Sequence, residues 1–191
     1  MQYREKNRAA FIADLKQEFG DFYLVPEGGA NALAVKGCQE ILSDDDHKIF
    51  SHVCIPCGTG ASLAGLIASS DARTELIGVP VLKSGEFLEQ AVDNFLEPDQ
   101  KYGKNWRLIC DYHFGGYAKI DQDLVQFIDE FECRHNIPLE PIYSGKMMYG
   151  IFDLVDKRYF EPGSQVLAIH TGGMQGLSGM SNVMQKLRAS R

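Results

Sequence analysis

The chain has 191 residues, 45% of them apolar and 24% charged, with a net charge of -7. That length supports one domain with a sizeable core, or a domain with part of a second. The acidic balance argues against a nucleic-acid surface, no apolar run approaches the roughly 20 residues of a membrane span, and the charged start carries no secretory signal.

Five cysteines (Cys38, Cys54, Cys57, Cys110, Cys133) make no dense framework and read as reduced thiols of a cytoplasmic chain. Cys54 and Cys57 form a Cys-x-x-Cys, but the first ends a strand and no second ligand pair exists. Two small residues packing a strand end is the expectation, and no metal site.

In chain order, Phe11, Ile12, Leu15 and Phe19 give a helical spacing over residues 8–19, stopped by Gly20. Residues 22–25 read as a strand, and a loop from Glu27 to Asn31 opens a helix running to about Leu42. The acidic turn at residues 43–47 reads as solvated. The apolar run Val53 to Ile55 is a buried strand; Gly58 and Gly60 break it, and a small-residue helix follows from Ala61. Residues 76–82 form the next strand, interrupted by Pro80, and Ser84 starts a helix. A polar loop covers residues 97–105, then come a strand over 106–110, a long aromatic and glycine loop over 111–120, and a helix over 121–135. A short strand over 139–143 leads into Ser144-Gly145-Lys146 and a helix over about 147–155. Residues 165–170 are a final strand, Thr171-Gly172-Gly173 a second glycine turn, and the tail is helical.

Strands and helices therefore alternate, which implies an α/β fold with a mostly parallel sheet covered by helices on both faces. Ligands in such sheets sit beyond the carboxyl ends of the strands. Five loops reach that edge, at residues 27–31, 58–62, 114–117, 143–145 and 171–173. Strand, glycine turn and helix at 52–68 aim backbone N–H groups and the positive end of a helix at one point, where a phosphate is the expected occupant. A tight turn without a ligand is the plainer alternative. The Rossmann fingerprint fails because Leu63 stands where the third glycine belongs, and a Walker loop fails for want of Gly-Lys-Ser/Thr.

Gly58-Thr59-Gly60-Ala61-Ser62-Leu63-Ala64-Gly65, Tyr143-Ser144-Gly145-Lys146 and Thr171-Gly172-Gly173 together resemble the 1-aminocyclopropane-1-carboxylate deaminase and D-cysteine desulfhydrase family. These are pyridoxal-phosphate enzymes of the tryptophan-synthase β-subunit fold type, and the resemblance runs from about Phe22 to Gly176. It implies pyridoxal 5'-phosphate as cofactor, a small amino acid as substrate, and a homodimer that binds neither nucleic acid nor membrane. Thr59, Gly60, Ala61 and Ser62 match the loop that holds the cofactor phosphate. Tyr143 matches a tyrosine over cofactor and substrate, and Tyr117 a second active-site tyrosine; alone, either would read as a half-exposed core residue.

Ser144 departs from the deaminases proper, where the resemblance implies a Glu that keeps the pyridine nitrogen protonated. A hydroxyl there resembles the desulfhydrase branch. It can bond a neutral ring nitrogen but supplies no counter-charge, which suits β-elimination better than cyclopropane opening. Capping the following helix is the alternative role, and both can coexist. Thr171 and Gly172 are expected to form a wall near the ring. Gly28, Gly29 and Asn31 either let the backbone approach a ligand or simply make a turn.

The family's Schiff-base lysine lies far upstream in an Asn-Lys-x-Arg type segment, absent here, as is its Ser-Asn-His type segment. The expectation is a fold truncated at its N-terminus. Residues 1–20 would be a remnant of the smaller domain or a linker helix, and 21–191 the larger, cofactor-binding domain. Such a chain would be inactive alone and would expose apolar surface. Two readings stand: the larger domain of a pyridoxal-phosphate lyase or deaminase, or a non-catalytic module that binds a phosphate ligand.

Overall fold

The computed structural model describes residues 8–101 and 103–190; residues 1–7 of the expected N-terminal segment lie outside them. The elements in order are α1 (Ala9–Phe19), α2 (Ala32–Cys38), α3 (Asp46–Ile49), β1 (His52–Cys57), α4 (Ala61–Ser69), β2 (Glu75–Pro80), α5 (Phe87–Phe95), α6 (Pro98–Lys101), β3 (Trp106–Leu108), α7 (Gln122–His135), α8 (Ser144–Asp156), β4 (Val166–Ala168) and α9 (Leu177–Ala189). Short 3-10 turns occupy Glu27–Gly29 and Met174–Gly176.

The four strands form one parallel sheet in the order β3-β2-β1-β4. Strand β1 is central because its run is apolar on both sides. Val53, Ile55 and Cys57 enter one core with Leu63, Leu66 and Ile67 of α4 and Leu88 and Val92 of α5. Cys54 enters the opposite core with Ile77 and Val79 of β2 and Met147, Ile151 and Leu154 of α8. A strand covered on both faces needs this continuous apolar character. Helices α7, α8 and α9 close a third cluster around Leu124, Ile128, Met180 and Met184.

A proline in a central strand removes a ladder donor, yet Pro56 lies in β1 opposite Val79. Its neighbour two back, Cys54, gives its carbonyl to Ile169 on the β4 side, and pairing with β4 stops there. Pro56 faces the same way, beyond that last pair, so no ladder bond is lost.

Several local expectations change, and the loop expected over 97–105 contains α6. Residues 22–25 form no strand: Tyr23 and Val25 are exposed and the segment has no ladder partner among the described residues. Aromatic and β-branched composition favours a strand only where a neighbouring edge exists. Residues 139–143 are a turn, because Glu140 bonds the following backbone itself. Helix α5 begins at Phe87, since Ser84 has a φ of 57° and cannot start a right-handed turn. Helix α2 ends at Cys38 rather than near Leu42.

No helix among the described residues is long and apolar enough to cross a membrane. All five cysteines are free. Burial pushes the Cys54 and Cys57 thiols up to about 12, so the Cys-x-x-Cys is a pair of inert packing residues.

Candidate functional site

Strand β1 ends at Cys57, and Gly58, Thr59 and Gly60 turn the chain into α4. Gly60 has a φ of 84°, and a Cβ there would lie 2.9 Å from Cγ2 of Val92, so both conformation and space demand glycine. No side chain caps α4. The N–H groups of Ala61, Ser62 and Leu63 in its first turn have no partner among the described residues. The half-buried hydroxyls of Thr59 and Ser62 are also without one. Several donors converging on a helix N-terminus suit a phosphate group.

The other loops close around this one. A side chain at Gly58 would meet the Tyr143 hydroxyl at 3.0 Å, and one at Gly28 would meet the Thr59 methyl at 3.1 Å. The Tyr117 and Tyr143 rings lie edge to face, with centroids 6.0 Å apart and planes at 72°. Burial, then the neighbouring Tyr117, pushes the Tyr143 phenol up to about 12. Tyr143 is therefore a protonated, donating phenol at ordinary pH.

Ser144 is fully buried. Its hydroxyl accepts from the Glu140 backbone N–H at 3.1 Å and donates to the Glu140 carbonyl at 3.3 Å. It does not cap the helix that follows: both bonds run back to Glu140, and only the longer of the two occupies the hydroxyl proton. The Glu140 carboxylate accepts from the N–H groups of Ile142 at 2.7 Å, Tyr143 at 2.6 Å and Ser144 at 2.5 Å. That cap starts α8 at Ser144, three residues earlier than the sequence predicts.

Glu140 also reaches the last loop: a side chain at Gly173 would lie 3.1 Å from its Cγ. His170 fixes that loop from within, its Nδ1 accepting from the Gly172 N–H at 3.0 Å and its Nε2 lying 3.0 Å from the Pro138 carbonyl. Thr171 is exposed and Gly172 half-buried at the rim. Sequence reasoning missed both Glu140 and His170. For Glu140 a signal existed: a carboxylate just before a helix, flanked by Pro138 and Pro141, is a capping pattern.

The structure thus brings Thr59, Gly60, Ala61, Ser62, Tyr117, Tyr143 and Ser144 to one end of the sheet, with Thr171 and Gly172 joined through Glu140 and His170. The sequence model of the family described as "Pyridoxal-phosphate dependent enzyme" matches residues 2–172. The chain belongs to that family. A Pyrococcus horikoshii protein named for 1-aminocyclopropane-1-carboxylate deaminase is 33% identical over 189 residues, covering 92% of this chain and 55% of the relative. A D-cysteine desulfhydrase of Klebsiella pneumoniae is 31% identical over 170 residues, covering 81% of this chain and 51% of the relative. Among solved structures, the crystal structure of an ACC deaminase homologue superposes with a TM-score of 0.76 at 27% identity, over 97% of this chain and 60% of that one. The fold is therefore that of this pyridoxal-phosphate family. The chain spans about half the length of the curated relatives it matches.

Proposed function

We propose that this chain supplies the phosphate-holding, larger part of a pyridoxal-phosphate lyase or deaminase acting on a small amino acid. The observation that carries the reading is the set of free donors at the start of α4, facing two tyrosines at the carboxyl edge of the sheet. Thr59, Ser62 and the N–H groups of Ala61 and Ser62 would hold the cofactor phosphate, with Gly60 giving the turn its room. Ser144 would bond the ring nitrogen by redirecting the O–H that now makes the longer bond to Glu140. When bound, the cofactor supplies an electron sink for a carbanion beside the amino group. Tyr117 and Tyr143 would cover the bound substrate and exclude water, and Tyr143 would present a protonated phenol. Thr171 and Gly172 would wall the site.

A hydroxyl rather than a carboxylate at Ser144 favours a D-cysteine desulfhydrase-like β-elimination over a deaminase-like ring opening, since it lends the ring no counter-charge. The relatives named for both activities support the class of substrate. A homodimer in a reducing, cytoplasmic setting accompanies the reading; the free thiols and exposed Tyr23 and Leu33 support it. Helix α1 buries no residue, which supports a boundary near residue 20.

One observation favours a second reading, a non-catalytic phosphate-ligand module. Among the described lysines only Lys146 is buried, and its Nζ is committed to two backbone carbonyls. No other described lysine stands in the setting a covalent attachment needs, so the chain alone is expected to be inactive. Titration with pyridoxal phosphate followed by borohydride reduction and peptide mapping tests the phosphate site and the lack of a covalent lysine together. Saturable binding that Thr59→Val and Ser62→Ala each weaken about tenfold, without a fixed lysine, is the expected result. Reduction onto one lysine would overturn the inactivity claim, and binding indifferent to Thr59 and Ser62 would overturn the phosphate site.

A further inference from the structure

The loop at residues 111–120 carries Tyr117 and is costly to hold. Phe114, Gly115, Gly116 and Ala118 have φ values of 52°, 93°, 121° and 53°, four left-handed residues within five positions. Two of them bear side chains, each disfavoured there by roughly 1–2 kcal/mol. The internal bonds of the loop are few: Gly116 N–H to the His113 carbonyl at 3.0 Å, Lys119 N–H to the Gly116 carbonyl at 3.1 Å, and Gly115 N–H to His113 Nδ1 at 2.8 Å.

The same two carbonyls are gripped from outside. Lys146 is fully buried, and its Nζ donates to the His113 carbonyl at 2.8 Å and to the Gly116 carbonyl at 2.8 Å. It forms no ion pair with a described residue. A core that needed only volume here would be served better by a methionine, because an amine buried without a counter-ion costs stability. One turn along α8, Tyr149 packs edge to face on Phe114 with centroids 5.0 Å apart. Helix α8 thus holds the loop by an amine and a ring, and the amine sits three residues after Tyr143 while its second acceptor immediately precedes Tyr117.

We propose that Lys146 is the positioning residue of this site, latching the Tyr117 loop to the first turn of α8 so that Tyr117 stands opposite Tyr143. As a device for ligand binding the latch rests on the reading given above; as a structural latch it does not. The groups that face the amine are Glu140 before α8 and Asp121 at the start of α7, which favour its charge. His113 lies on the loop itself, and the backbone of Lys83 stands beside Gly116. Burial outweighs the carboxylates and lowers the amine to about 8. Opening the loop therefore takes up a proton, and closure tightens as pH rises from about 8.

The test is hydrogen–deuterium exchange by mass spectrometry on the full chain and on Lys146→Met, which keeps the volume and removes both donors. The variant is expected to exchange the amides of residues 111–120 at least tenfold faster, with β1 and β2 unchanged. In the wild type, loop exchange normalised to an unstructured peptide should slow between pH 8 and 10, and the variant should lose that dependence. Equal loop exchange in both proteins overturns the latch. If the variant does not fold, a flat normalised profile in the wild type overturns it instead. Pyridoxal phosphate affinity, read by equilibrium titration, should fall at least tenfold in the variant. Unchanged affinity with a loosened loop overturns the positioning role, whereas a wild type that binds none while its variant loosens leaves the latch standing and removes the proposed site.

Discussion

Glu140 and Ser144 hold each other in two directions: the carboxylate of Glu140 accepts the Ser144 N–H at 2.5 Å, and the Ser144 hydroxyl bonds both the N–H and the carbonyl of Glu140. This closed turn sets where α8 begins, and so where Tyr143 stands. Its carboxylate is buried, with three backbone donors. Glu140→Ala would leave those donors without a charged acceptor and is expected to cost about 3 kcal/mol or more. Glu140→Gln keeps one acceptor oxygen and should cost about half as much. Guanidinium unfolding of the three proteins checks the order.

Ser144 gives a sharper contrast. Ser144→Ala removes one hydroxyl from the turn and is expected to cost about 1 kcal/mol. Ser144→Glu would place a second carboxylate in a fully buried position four residues from Glu140. It should cost more than about 3 kcal/mol unless the introduced carboxyl is protonated. Its stability should therefore recover toward acid pH relative to Ser144→Ala. A glutamate variant as stable as the alanine variant at neutral pH would contradict the crowding argument.

At the glycine loop, Gly60→Ala meets two penalties. The left-handed φ disfavours a side chain by roughly 1–2 kcal/mol, and the Val92 methyl at 2.9 Å must shift. A loss of about 2–4 kcal/mol is expected, with pyridoxal phosphate affinity falling along with stability. Gly29→Ala, also left-handed but with open space around it, should cost only the conformational part. Thermal melts of the pair separate conformation from packing.

The sheet and the glycine loop were legible because their causes are local. Val53, Cys54 and Ile55 are apolar on both faces, and Gly58 and Gly60 stand where the strand must turn. The pairing of Tyr117 with Tyr143 was legible only as two loops at one edge, since their distance depends on how residues 111–120 are held. Leu139, Ile142 and Tyr143 have strand-like composition, yet the segment is a turn because one side chain, Glu140, satisfies three of the backbone donors that follow it. Residues 22–25 failed for the complementary reason, a strand composition with no ladder to join. The grip of Lys146 on two carbonyls 33 and 30 residues away is invisible in spacing.

The buried titratable groups fix a stability profile that rises and then falls on the alkaline side. Burial lowers Lys146 from 10.5 to about 8, so between those values the unfolded chain binds the extra proton and stability increases with pH. Burial raises Cys54 and Cys57 from 9.0 to about 12, so above 9 the native chain binds the extra protons and stability decreases. Each proton of imbalance is worth about 1.4 kcal/mol per pH unit. Stability should therefore climb from pH 8 to 9. It should then fall by roughly 1.4 kcal/mol per unit to about pH 10.5, where two thiols outweigh one amine, and fall faster beyond. Burial of Tyr112, hydrogen-bonded to Asp153, and of Tyr143 adds to the later descent. Guanidinium unfolding at half-unit steps checks the shape: Lys146→Met should abolish the rise, and Cys54→Ala should remove one proton's share of the fall. Stability that goes on rising from pH 9 to 10.5 would mean the two strand thiols are open to solvent.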